Sequence, residues 1–464
     1  MSSFRLVAAY STVVAFIIYI LIEGIHNEGS IGELSLTSSK NSERRILFHV
    51  SHSTKSIGKE FPDFSLYRQL DTLNENDFPI DDSSRRVIIV GDIHGMYDSL
   101  QALLHELSYK PSSDVLISVG DIVAKGPHTG STKVLSYMAS NNVTAVRGNH
   151  DQKVIEWRAW LNWIHSLRGG SQFLQETRDN WKKAQHHGDI DIEDWVEKQT
   201  KLDKANSHWW KKVPDGWTLF GDHFEIAHSM SDTEFEYMVS RPLKLHAPSA
   251  HAYLAHAGIL ASDPHYKPSY KKQPLARVPV IPPSAKSSHT LPILRRLQEL
   301  AVLTKIPQNL DPWVTLNIRG ILKNKEVTRA KDGTPWSEVY NKDIDMCEGF
   351  EQSIHTTKNS KALPCHPATV IYGHAASRGL DVKRWTIGID SGCVYGKRLT
   401  ALVLGGRNSH VDFTDDGELV RDIDEDGDDG DDDDDSDSDS QIASRSVIPF
   451  GDRGRGEIVS VSCN

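Results

Sequence analysis

The sequence predicts an α/β fold, preceded by an N-terminal transmembrane helix and followed by an acidic, disordered C-terminal tail. Within residues 87–151, three apolar β-branched runs of strand length end abruptly in Gly-Asp or Gly-Asn: VIIVGDIHG, DVLISVGDIVAKGP and VTAVRGNHD. The two intervals between them carry apolar residues at helical spacing, so the unit is β-α-β-α-β. Ligands bind beyond the carboxyl ends of such strands, and polar side chains stand at each of these ends.

The composition indicates one large domain with appendages. The 464 residues are 38% hydrophobic, which is enough to bury a sizeable core. The acidic run at residues 415–439 holds 16 of the 63 acidic residues and one of the 52 basic residues, which leaves 47 acidic against 51 basic residues elsewhere. The formal net charge of -11 therefore comes from that run, and the charge does not exclude an anionic substrate.

The cysteines are few and form no CxxC pair: Cys347, Cys365, Cys393 and Cys463. They indicate neither a zinc ribbon nor a disulfide scaffold. The redox compartment therefore stays open at this point.

Residues 1–25 are predicted to form a cytosolic N-terminus and a membrane anchor. Residues 6–22 are uncharged and almost wholly apolar, which is short for a bilayer-spanning helix but long for a signal-peptide core. No small-x-small cleavage site follows, so a retained signal anchor is favoured over a cleaved signal peptide or a buried helix. Arg5 favours a cytosolic N-terminus with the rest of the chain in a lumen or outside the cell. The polar residues 26–84 are predicted to form a stem.

The main domain is predicted to span residues 85–412. Four apolar residues that share one face predict a helix after the third strand: Val154, Trp157, Leu161 and Ile164. This helix opens an insertion of about residues 152–215, which is rich in Lys, His and Trp. The insertion is either a solvated helical segment with half-buried indoles or a basic rim that collects a polyanion. A Pro- and Lys-rich loop is predicted at about residues 264–290, and an amphipathic helix at residues 291–303.

The C-terminal residues 413–464 are predicted to be a disordered tail. Their Asp, Ser and Gly content cannot bury enough apolar surface to pay for ordering. Two roles stay open for the tail, namely a solubilising or protein-binding segment, and weak sequestration of divalent cations. Its protein partners are not indicated.

Two later strand ends carry histidines. The run AYLAHAGIL ends its strand at His256, and TVIYGHAASRGL ends its strand just before His374. The following run, TIGIDSGCVYGKRLTALVL, predicts two strands around a turn at residues 392–396.

The polar residues at these strand ends predict a centre for two metal ions. The predicted ligands are Asp92, His94, Asp121, Asn149, His256 and His374. Carboxylate, imidazole and amide oxygen together suit Zn, Mn or Fe rather than Ca, and two such ions can clamp both oxygens of an in-line phosphoryl displacement. Asp121 is the natural bridge between the ions. Asp92 and His94 then complete one site, and the other three residues complete the second.

Two residues beside the ligands are predicted to act in catalysis. His150 follows a ligand in an expected extended segment, so it should point away from the metal and protonate the leaving oxygen. Asp151 is expected to hold that imidazole in its donor state. A purely structural metal site would need neither residue, which argues against a non-enzymatic phosphate-binding module.

The blocks GDIHG, GDIVAKG, RGNHD, HAG and GHAASRG resemble those of the calcineurin-like metallophosphoesterases, in the phosphoprotein-phosphatase branch. The resemblance covers roughly residues 85–404. It implies a four-layer α/β/β/α sandwich with a binuclear centre at its sheet edges, and it implies that Arg147 binds phosphate. Lys125 stands where the protein serine/threonine phosphatases have Arg, and Asp151 stands where they have Glu, so Lys125 is also expected to bind substrate.

Those departures, together with HAGI and DSGCVYGKRLTAL, are similar to the symmetrical diadenosine tetraphosphatases and their eukaryotic relatives, including the fungal vacuolar zinc-dependent endopolyphosphatases. The resemblance implies cleavage of phosphoanhydride bonds inside polyphosphate chains, with zinc favoured over manganese, cobalt or iron. It also implies a single-pass type II protein of the vacuolar membrane with its catalytic domain in the lumen. Hydrolysis of dinucleoside tetraphosphates or of phosphoserine and phosphothreonine in proteins is the alternative, and no nucleic-acid partner is expected.

Overall fold

The computed structural model describes residues 61–186, 188, 190–281, 290–351, 362–406 and 443–463. The predicted anchor, the larger part of the predicted stem and the acidic run lie outside the described residues. Within the described ranges, no helix is both long enough and apolar enough to span a membrane.

The described chain contains fifteen strands and twelve α-helices. The strands are β1 (Leu70–Thr72), β2 (Arg86–Val90), β3 (Asp114–Ser118), β4 (Thr144–Ala145), β5 (Lys244–Ala247), β6 (Ala252–Ala255), β7 (Gly320–Ile321), β8 (Val327–Thr328), β9 (Thr334–Pro335), β10 (Thr369–Tyr372), β11 (Asp381–Val382), β12 (Thr386–Gly388), β13 (Arg398–Gly405), β14 (Ser444–Phe450) and β15 (Gly454–Ser462). The helices are α1 (Tyr97–Glu106), α2 (His128–Ser140), α3 (Asn149–Ser166), α4 (Gly170–His186), α5 (Ile192–Leu202), α6 (Ser207–Trp210), α7 (Asp222–Ser229), α8 (Asp232–Ser240), α9 (Thr290–Lys305), α10 (Pro307–Leu310), α11 (Pro312–Asn317) and α12 (Trp336–Ile344).

Two six-stranded sheets form the body of the fold. The first sheet has the order β14-β15-β13-β2-β3-β4, with β2, β3 and β4 parallel and the other pairs antiparallel. The second sheet has the order β1-β5-β6-β10-β12-β11, with β6, β10 and β12 parallel. The predicted β-α-β-α-β unit is therefore present as β2, α1, β3, α2 and β4. A small three-stranded sheet has the order β8-β7-β9.

The alternation of side chains along β2 shows how the layers are built. Val87 and Ile89 belong to an apolar cluster shared with strands of the second sheet, whereas Ile88 and Val90 belong to a cluster shared with the helices that follow β2. Because successive side chains of a strand point to opposite faces, the first sheet is covered by the second sheet on one face and by helices on the other.

The second sheet is covered in the same way. Its outer face packs against α9 and α12 in a third cluster that includes Val302, Trp336 and Tyr340. The order through the described fold is thus helices, first sheet, second sheet, helices. All the parallel strands that are expected to carry ligands end in the interior of this arrangement.

The run TIGIDSGCVYGKRLTALVL forms two strands that do not pair with each other. β12 lies in the second sheet and β13 lies in the first, so the turn between them carries the chain across from one sheet to the other. The sequence predicted the strands and the turn but not this change of sheet.

Residues 61–84 belong to the folded domain, which corrects the predicted boundary of the stem. β1 pairs in parallel with β5 at the edge of the second sheet. Phe64 and Phe78 are buried in two of the apolar clusters. The sequence did not indicate that these two aromatic residues are buried, because they stand among polar residues and form no periodic apolar pattern.

The C-terminal residues 443–463 also belong to the domain, which corrects the prediction of a disordered tail to residue 464. β15 pairs with β13 along six residues, and β14 pairs with β15 along seven. Phe450, Ile458 and Val459 are buried against the rest of the first sheet. The first sheet is therefore completed by strands that follow the acidic run.

Two disulfides join the four cysteines, Cys347 to Cys365 and Cys393 to Cys463. The second bond fastens the end of β15 to the turn between β12 and β13. The sequence had not indicated a disulfide scaffold, because neither pair has a recognisable spacing.

The helical insertion after β4 is an extension of the core. Six of its seven indoles are at most 9% exposed and belong to the cluster that covers the first sheet: Trp157, Trp160, Trp181, Trp195, Trp209 and Trp210. These six are therefore more deeply buried than expected, whereas Trp163 is half-buried against the same cluster. Further along the chain, α9 coincides with the predicted amphipathic helix, and Leu275 is buried within the predicted loop.

Candidate metal centre

The six predicted ligands meet at the carboxyl ends of parallel strands from both sheets. Asp92 and His94 follow β2, Asp121 follows β3, and Asn149 opens α3 shortly after β4. His256 follows β6 and His374 follows β10 in the second sheet. Because strands of both sheets end at this place, donors that are up to 282 residues apart in the chain lie close together.

Asp121 lies at the centre of this group. Its Oδ2 is 3.6 Å from His94 Nε2 and 3.4 Å from His256 Nε2. Asp92 Oδ2 lies 3.8 Å from His94 Nε2 on the other side. The carboxylates and the imidazole of the first sheet form a compact group of potential ligands, and Asp121 also faces a histidine of the second sheet.

Asn149 joins the two histidines of the second sheet. Its Oδ1 lies 2.9 Å from His374 Nδ1 and 3.1 Å from His256 Nε2. The donors therefore fall into two groups that share Asp121, which is the division predicted from the sequence.

The spacing of these atoms fits metal ions. Two ligand atoms that are each about 2.1 Å from one ion lie roughly 3.0 Å apart at right angles and roughly 3.4 Å apart at the tetrahedral angle. The ring orientations fit as well. His256 Nδ1 donates to Val119 O at 3.0 Å and His94 Nδ1 lies 3.4 Å from Val123 O, which leaves Nε2 of each ring for the centre.

Three of the six residues have an unusual backbone. His94, Asp121 and His374 have φ values of 49°, 50° and 71°, in the left-handed region that non-glycine residues rarely adopt. Such conformations cost on the order of 1–3 kcal/mol each and are concentrated at functional sites. The fold therefore maintains a strained backbone where it presents these donors.

Close backbone packing locks Asp92 in place. The His374 N–H donates to Asp92 Oδ1 at 3.0 Å and to Oδ2 at 3.1 Å. Gly373 allows this approach, since a Cβ at that position would collide with Asp92 Oδ1. A ligand of the first sheet is thus held by the backbone of the second.

The electrostatics of the centre favour positive charge. Burial raises the pKa of Asp92 well above its usual range, and the neighbouring Asp390 carboxyl adds to this effect. Burial alone would lower the pKa of His256, but the carboxylate of Asp121 raises it to about 10. The buried carboxylates stabilise the protonated form of a neighbouring imidazole. Groups that stabilise a proton in this way also bind divalent cations well.

His150 lies in the first turn of α3, not in an extended segment. Its backbone N–H donates to Asp121 Oδ1 at 2.9 Å, and its ring meets the His94 ring edge-on with the centroids 5.3 Å apart. Its Nδ1 is 2.8 Å from His223 Nε2. Burial lowers the pKa of His150 to about 3, while the Asp121 carboxylate opposes that shift.

Asp151 does not orient His150, which corrects the role predicted for it. Its buried carboxylate accepts three backbone N–H groups, from Asp121 at 2.9 Å, Ile122 at 3.0 Å and Gly148 at 2.9 Å. Asp151 therefore ties the loop after β3 to the start of α3. Its contribution is to the shape of the centre.

Arg147 does not face the centre, which corrects its predicted contact with phosphate. Its side chain is 1% exposed, and its guanidinium donates to Gln152 Oε1 at 2.7 Å and to Val239 O at 2.7 Å. A buried guanidinium with these partners is a structural tie. The position of Arg147 beside a ligand in the sequence gave no information about the direction of its side chain.

A crevice of about 320 Å³ opens beside the centre. His94 and His374 line it together with Asp390 and Tyr395. Four basic side chains also line it: Lys125, Arg319, Lys331 and Lys397. Of these only Lys125 was predicted, and no residue of the helical insertion lines the crevice within the described residues.

Besides Lys331, Tyr395 and Lys397 of the crevice, three further residues of the site were missed by the sequence reasoning. Asp390 was quoted within the DSGC block, but nothing marked its carboxyl as part of a buried cluster. Arg319 and His223 lie in segments without a recognisable motif. Only a search for further strand ends, such as that of β12 before Asp390, could have found one of the three.

The centre combines carboxylates, imidazoles and an amide at the ends of strands from two facing sheets, and a cationic crevice lies beside it. This arrangement suits metal-assisted phosphoryl transfer. Residues 85–256 match the family model of the calcineurin-like phosphoesterases, and the chain contains a metallophosphoesterase domain of this family.

Curated relatives are similar over shorter stretches. Serine/threonine-protein phosphatase 1 of Salmonella typhimurium strain LT2 is 36% identical over 107 residues, which cover 22% of this chain and 46% of that protein. Serine/threonine-protein phosphatase 2 of Escherichia coli strain K12 is 35% identical over 130 residues, 23% of this chain and 59% of that protein. The symmetrical bis(5'-nucleosyl)-tetraphosphatase of Citrobacter koseri is 51% identical over 65 residues, 14% of this chain and 22% of that protein. The matches thus span less than two thirds of each relative.

Proposed function

We propose that the protein is a membrane-anchored phosphohydrolase that uses two divalent metal ions to cleave phosphoanhydride bonds inside inorganic polyphosphate chains. Zinc is the favoured metal, with manganese, cobalt and iron as alternatives. The six predicted ligands would hold the ions, and when bound the ions supply Lewis-acid stabilisation of charge on the transferring phosphoryl group.

The four basic side chains of the crevice carry this proposal. Lys125, Lys331 and Lys397 are separate point charges, and Arg319 adds a guanidinium that can bind two phosphate oxygens at once. A repeating anion can occupy such a series of cations in many registers, whereas a short ester uses only the nearest one. The crevice is also open to solvent, so the substrate need not end at the metal centre.

In this proposal, three residues of the chain act on the substrate. Lys125 and Arg319 bind non-bridging oxygens next to the scissile bond. Water attacks the phosphorus as the bond from phosphorus to the bridging oxygen breaks, and the bridging oxygen keeps the electron pair and takes the proton of His150 Nε2. The proton that the attacking water loses passes to solvent. The backbone N–H of Arg319 donates to Thr328 O at 2.8 Å, which ties the backbone at this arginine to the small sheet.

One observation favours the alternative, hydrolysis of dinucleoside tetraphosphates. Tyr395 lines the crevice and is 61% exposed, so its ring has a free face on which a nucleobase can stack. The similarity to the Citrobacter koseri protein points the same way. Polyphosphate contains no base, and a requirement for Tyr395 would therefore favour the alternative.

We also propose that the catalytic domain lies in an oxidising compartment, the vacuolar lumen. Two disulfides support this location, because such bonds are rare in reducing compartments. The predicted anchor and Arg5 before it support a type II orientation.

The test compares substrates on the full-length protein with Zn, Mn and Co supplied in turn. Long-chain polyphosphate on a denaturing gel should shorten through intermediate lengths before much orthophosphate appears. Rising salt should weaken binding, because the contacts are ionic. The Asp121→Asn variant serves as the inactive control.

Two results would contradict the proposal. Early release of orthophosphate while long chains persist would show cleavage from the chain end. Indifference to polyphosphate with efficient hydrolysis of a dinucleoside tetraphosphate or of a phosphopeptide would replace it with the corresponding alternative.

A further inference from the structure

A second histidine, absent from the sequence motifs, holds His150. The two nitrogens, His150 Nδ1 and His223 Nε2, are 2.8 Å apart, and the rings stack with their centroids 5.0 Å apart and their planes 15° apart. At that distance one proton lies between the nitrogens, whichever ring carries it. The contact therefore fixes the position and tilt of the His150 imidazole. Because Nδ1 is engaged, Nε2 is the ring nitrogen that remains for the substrate.

Helix α7, which presents His223, is anchored to the helical insertion. Phe224 meets Trp157 of α3 edge-on, with the centroids 5.1 Å apart. Arg178 of α4 forms an ion pair with Glu225 at 2.9 Å. The two residues that follow His223 are thus fixed to α3 and α4, so the insertion sets where the first turn of α7 lies.

The first turn of α7 makes a second contact with the centre. Asp222 Oδ2 accepts the backbone N–H of Lys125 at 2.6 Å. Lys125 has a φ of 64°, so this hydrogen bond stabilises a strained part of the loop after β3. Two adjacent residues of one helix therefore hold a basic residue of the crevice and the imidazole that faces the substrate.

We propose that His223 is a positioning residue for His150, and that α7 is the element that sets its place. The proposal rests on the proposed role of His150 as the proton donor to the leaving oxygen. An imidazole that is held at one nitrogen presents the other in a fixed direction. Fewer orientations then have to be sampled before it meets the bridging oxygen. His223 itself touches neither the substrate nor the reacting atoms.

The test uses three variants and two substrates. His223→Leu removes the nitrogen, and His223→Gln places an amide at a similar reach. His228→Leu is the matched control, because His228 lies on the same helix with an exposed side chain. Phenyl phosphate has a poor leaving group that needs a proton, whereas p-nitrophenyl phosphate has a good one. Metal content and melting temperature are measured for every variant.

The expected result is a loss that depends on the leaving group. His223→Leu should lower kcat on phenyl phosphate by about tenfold or more, and on p-nitrophenyl phosphate by less than about threefold. His223→Gln should restore most of the loss, and His228→Leu should behave as wild type. In the His150→Asn background, His223→Leu should cost less than about twofold, because the interaction it supports is already gone.

Equal losses on both esters, or additive losses in the double variant, would overturn the proposal. A crystal structure of His223→Leu gives a check that needs no turnover, and an unmoved His150 ring would overturn it as well. The outcome is separable from that of the proposed function. A wild-type protein that ignores polyphosphate but shows the His223 effect on esters contradicts only the substrate, whereas polyphosphate cleavage with a silent His223→Leu variant contradicts only the positioning role.

Discussion

The two sheets contribute to the metal centre in different ways. The first sheet supplies the carboxylates, Asp92 and Asp121, from the ends of neighbouring parallel strands. The second sheet supplies imidazoles, His256 and His374, from the ends of β6 and β10. Both carboxylates among the predicted ligands thus come from the first sheet, and the second sheet adds one further carboxyl to the crevice, that of Asp390 after β12.

The sheets are also secured differently. The first sheet is closed by the C-terminal strands and by the Cys393–Cys463 disulfide. The second is braced by a buried ionic group in which Glu299 receives His246 Nε2 and His251 Nδ1, each at 2.7 Å. The Cys347–Cys365 disulfide lies in the apolar cluster that covers the second sheet, so each sheet has a covalent tie beside it. The difference is that the first sheet depends on strands from the C-terminal end of the chain, whereas the second depends on a buried hydrogen-bonded group.

The largest expected effect comes from removing the closure of the first sheet. Deletion of residues 443–464 removes Phe450, Ile458 and Val459 and uncovers the apolar surfaces that they bury, and each lost side chain costs about 1.5–3 kcal/mol. Together with the lost disulfide, this approaches the whole stability of a domain, about 5–15 kcal/mol. We expect no soluble folded protein, as measured by expression and circular dichroism.

An internal deletion of residues 415–439 is the control for that experiment. It removes the acidic run and keeps β14, β15 and Cys463. It should leave the melting temperature and turnover nearly unchanged. A folded protein after the longer deletion would show that the first sheet does not need its C-terminal strands.

The next prediction compares the loss of one metal ligand from each sheet. Asp121→Asn should lower turnover by about three orders of magnitude, because it removes the charge shared by both metal sites. His374→Asn should lower it by about two orders, because it removes one neutral donor. Metal content should fall in both variants and fall further in Asp121→Asn.

Asp98→Asn, at an exposed position in α1, controls for a change of carboxyl to amide. An Asp121→Asn variant with full metal content and near-normal turnover would contradict the bridging assignment. A His374→Asn variant that is worse than Asp121→Asn would reverse the ranking of the two sheets.

Variants of two arginines should distinguish a structural role from a role in substrate binding. Arg147→Lys should cost stability, about 1–3 kcal/mol, because buried carbonyls lose their donors. Arg319→Lys should leave stability almost unchanged and raise KM for polyphosphate by about tenfold, because it loses a bidentate contact with phosphate. Urea unfolding and steady-state kinetics on both variants measure this split, and a reversed pattern would restore the phosphate role predicted for Arg147.

The smallest expected effect concerns the brace of the second sheet. Burial alone would raise the pKa of Glu299, but the hydrogen bonds from His246 and His251 hold it below its usual range. A lowered pKa in the folded state gives stability that is complete above about pH 4.3 and is lost as pH falls through the folded value. Glu299→Gln should therefore cost about 1–3 kcal/mol at pH 7 and less at pH 3.

Urea unfolding at both pH values measures the difference. Glu338→Gln, at an exposed position in α12, should show no comparable change. An equal cost at pH 7 and pH 3 would mean that the charge of Glu299 contributes nothing to the brace.

The positions of the metal ligands could be predicted from local patterns in the sequence. Each ligand follows an apolar strand run, and before most of them a glycine marks the point at which the strand stops, as in the runs before Asp92 and Asp121; the run before His256 has no such glycine. Strand ends of this kind meet at one edge by the geometry of parallel sheets. The locations of the six residues were therefore accessible without a structure.

The remaining roles depended on the direction of side chains. Arg147 and Asp151 flank a ligand in the sequence, but both side chains are buried away from it, Arg147 just before α3 and Asp151 in its first turn. His223 and Arg319 reach the site from distant segments, and no local pattern reports such a contact. β14 escaped detection because most of its residues are exposed and it contains Pro449, which an edge strand tolerates.

The Cys393–Cys463 bond encloses the acidic run between two fixed points. Its cysteines are 70 residues apart, with residues 407–442 between them. A protease that cuts the backbone once within that interval leaves two fragments joined by the disulfide and by the pairing of β13 with β15. Such a nicked molecule would migrate as one band on a non-reducing gel and as two on a reducing gel. Maturation by cleavage at the acidic run would thus leave the catalytic domain in one piece.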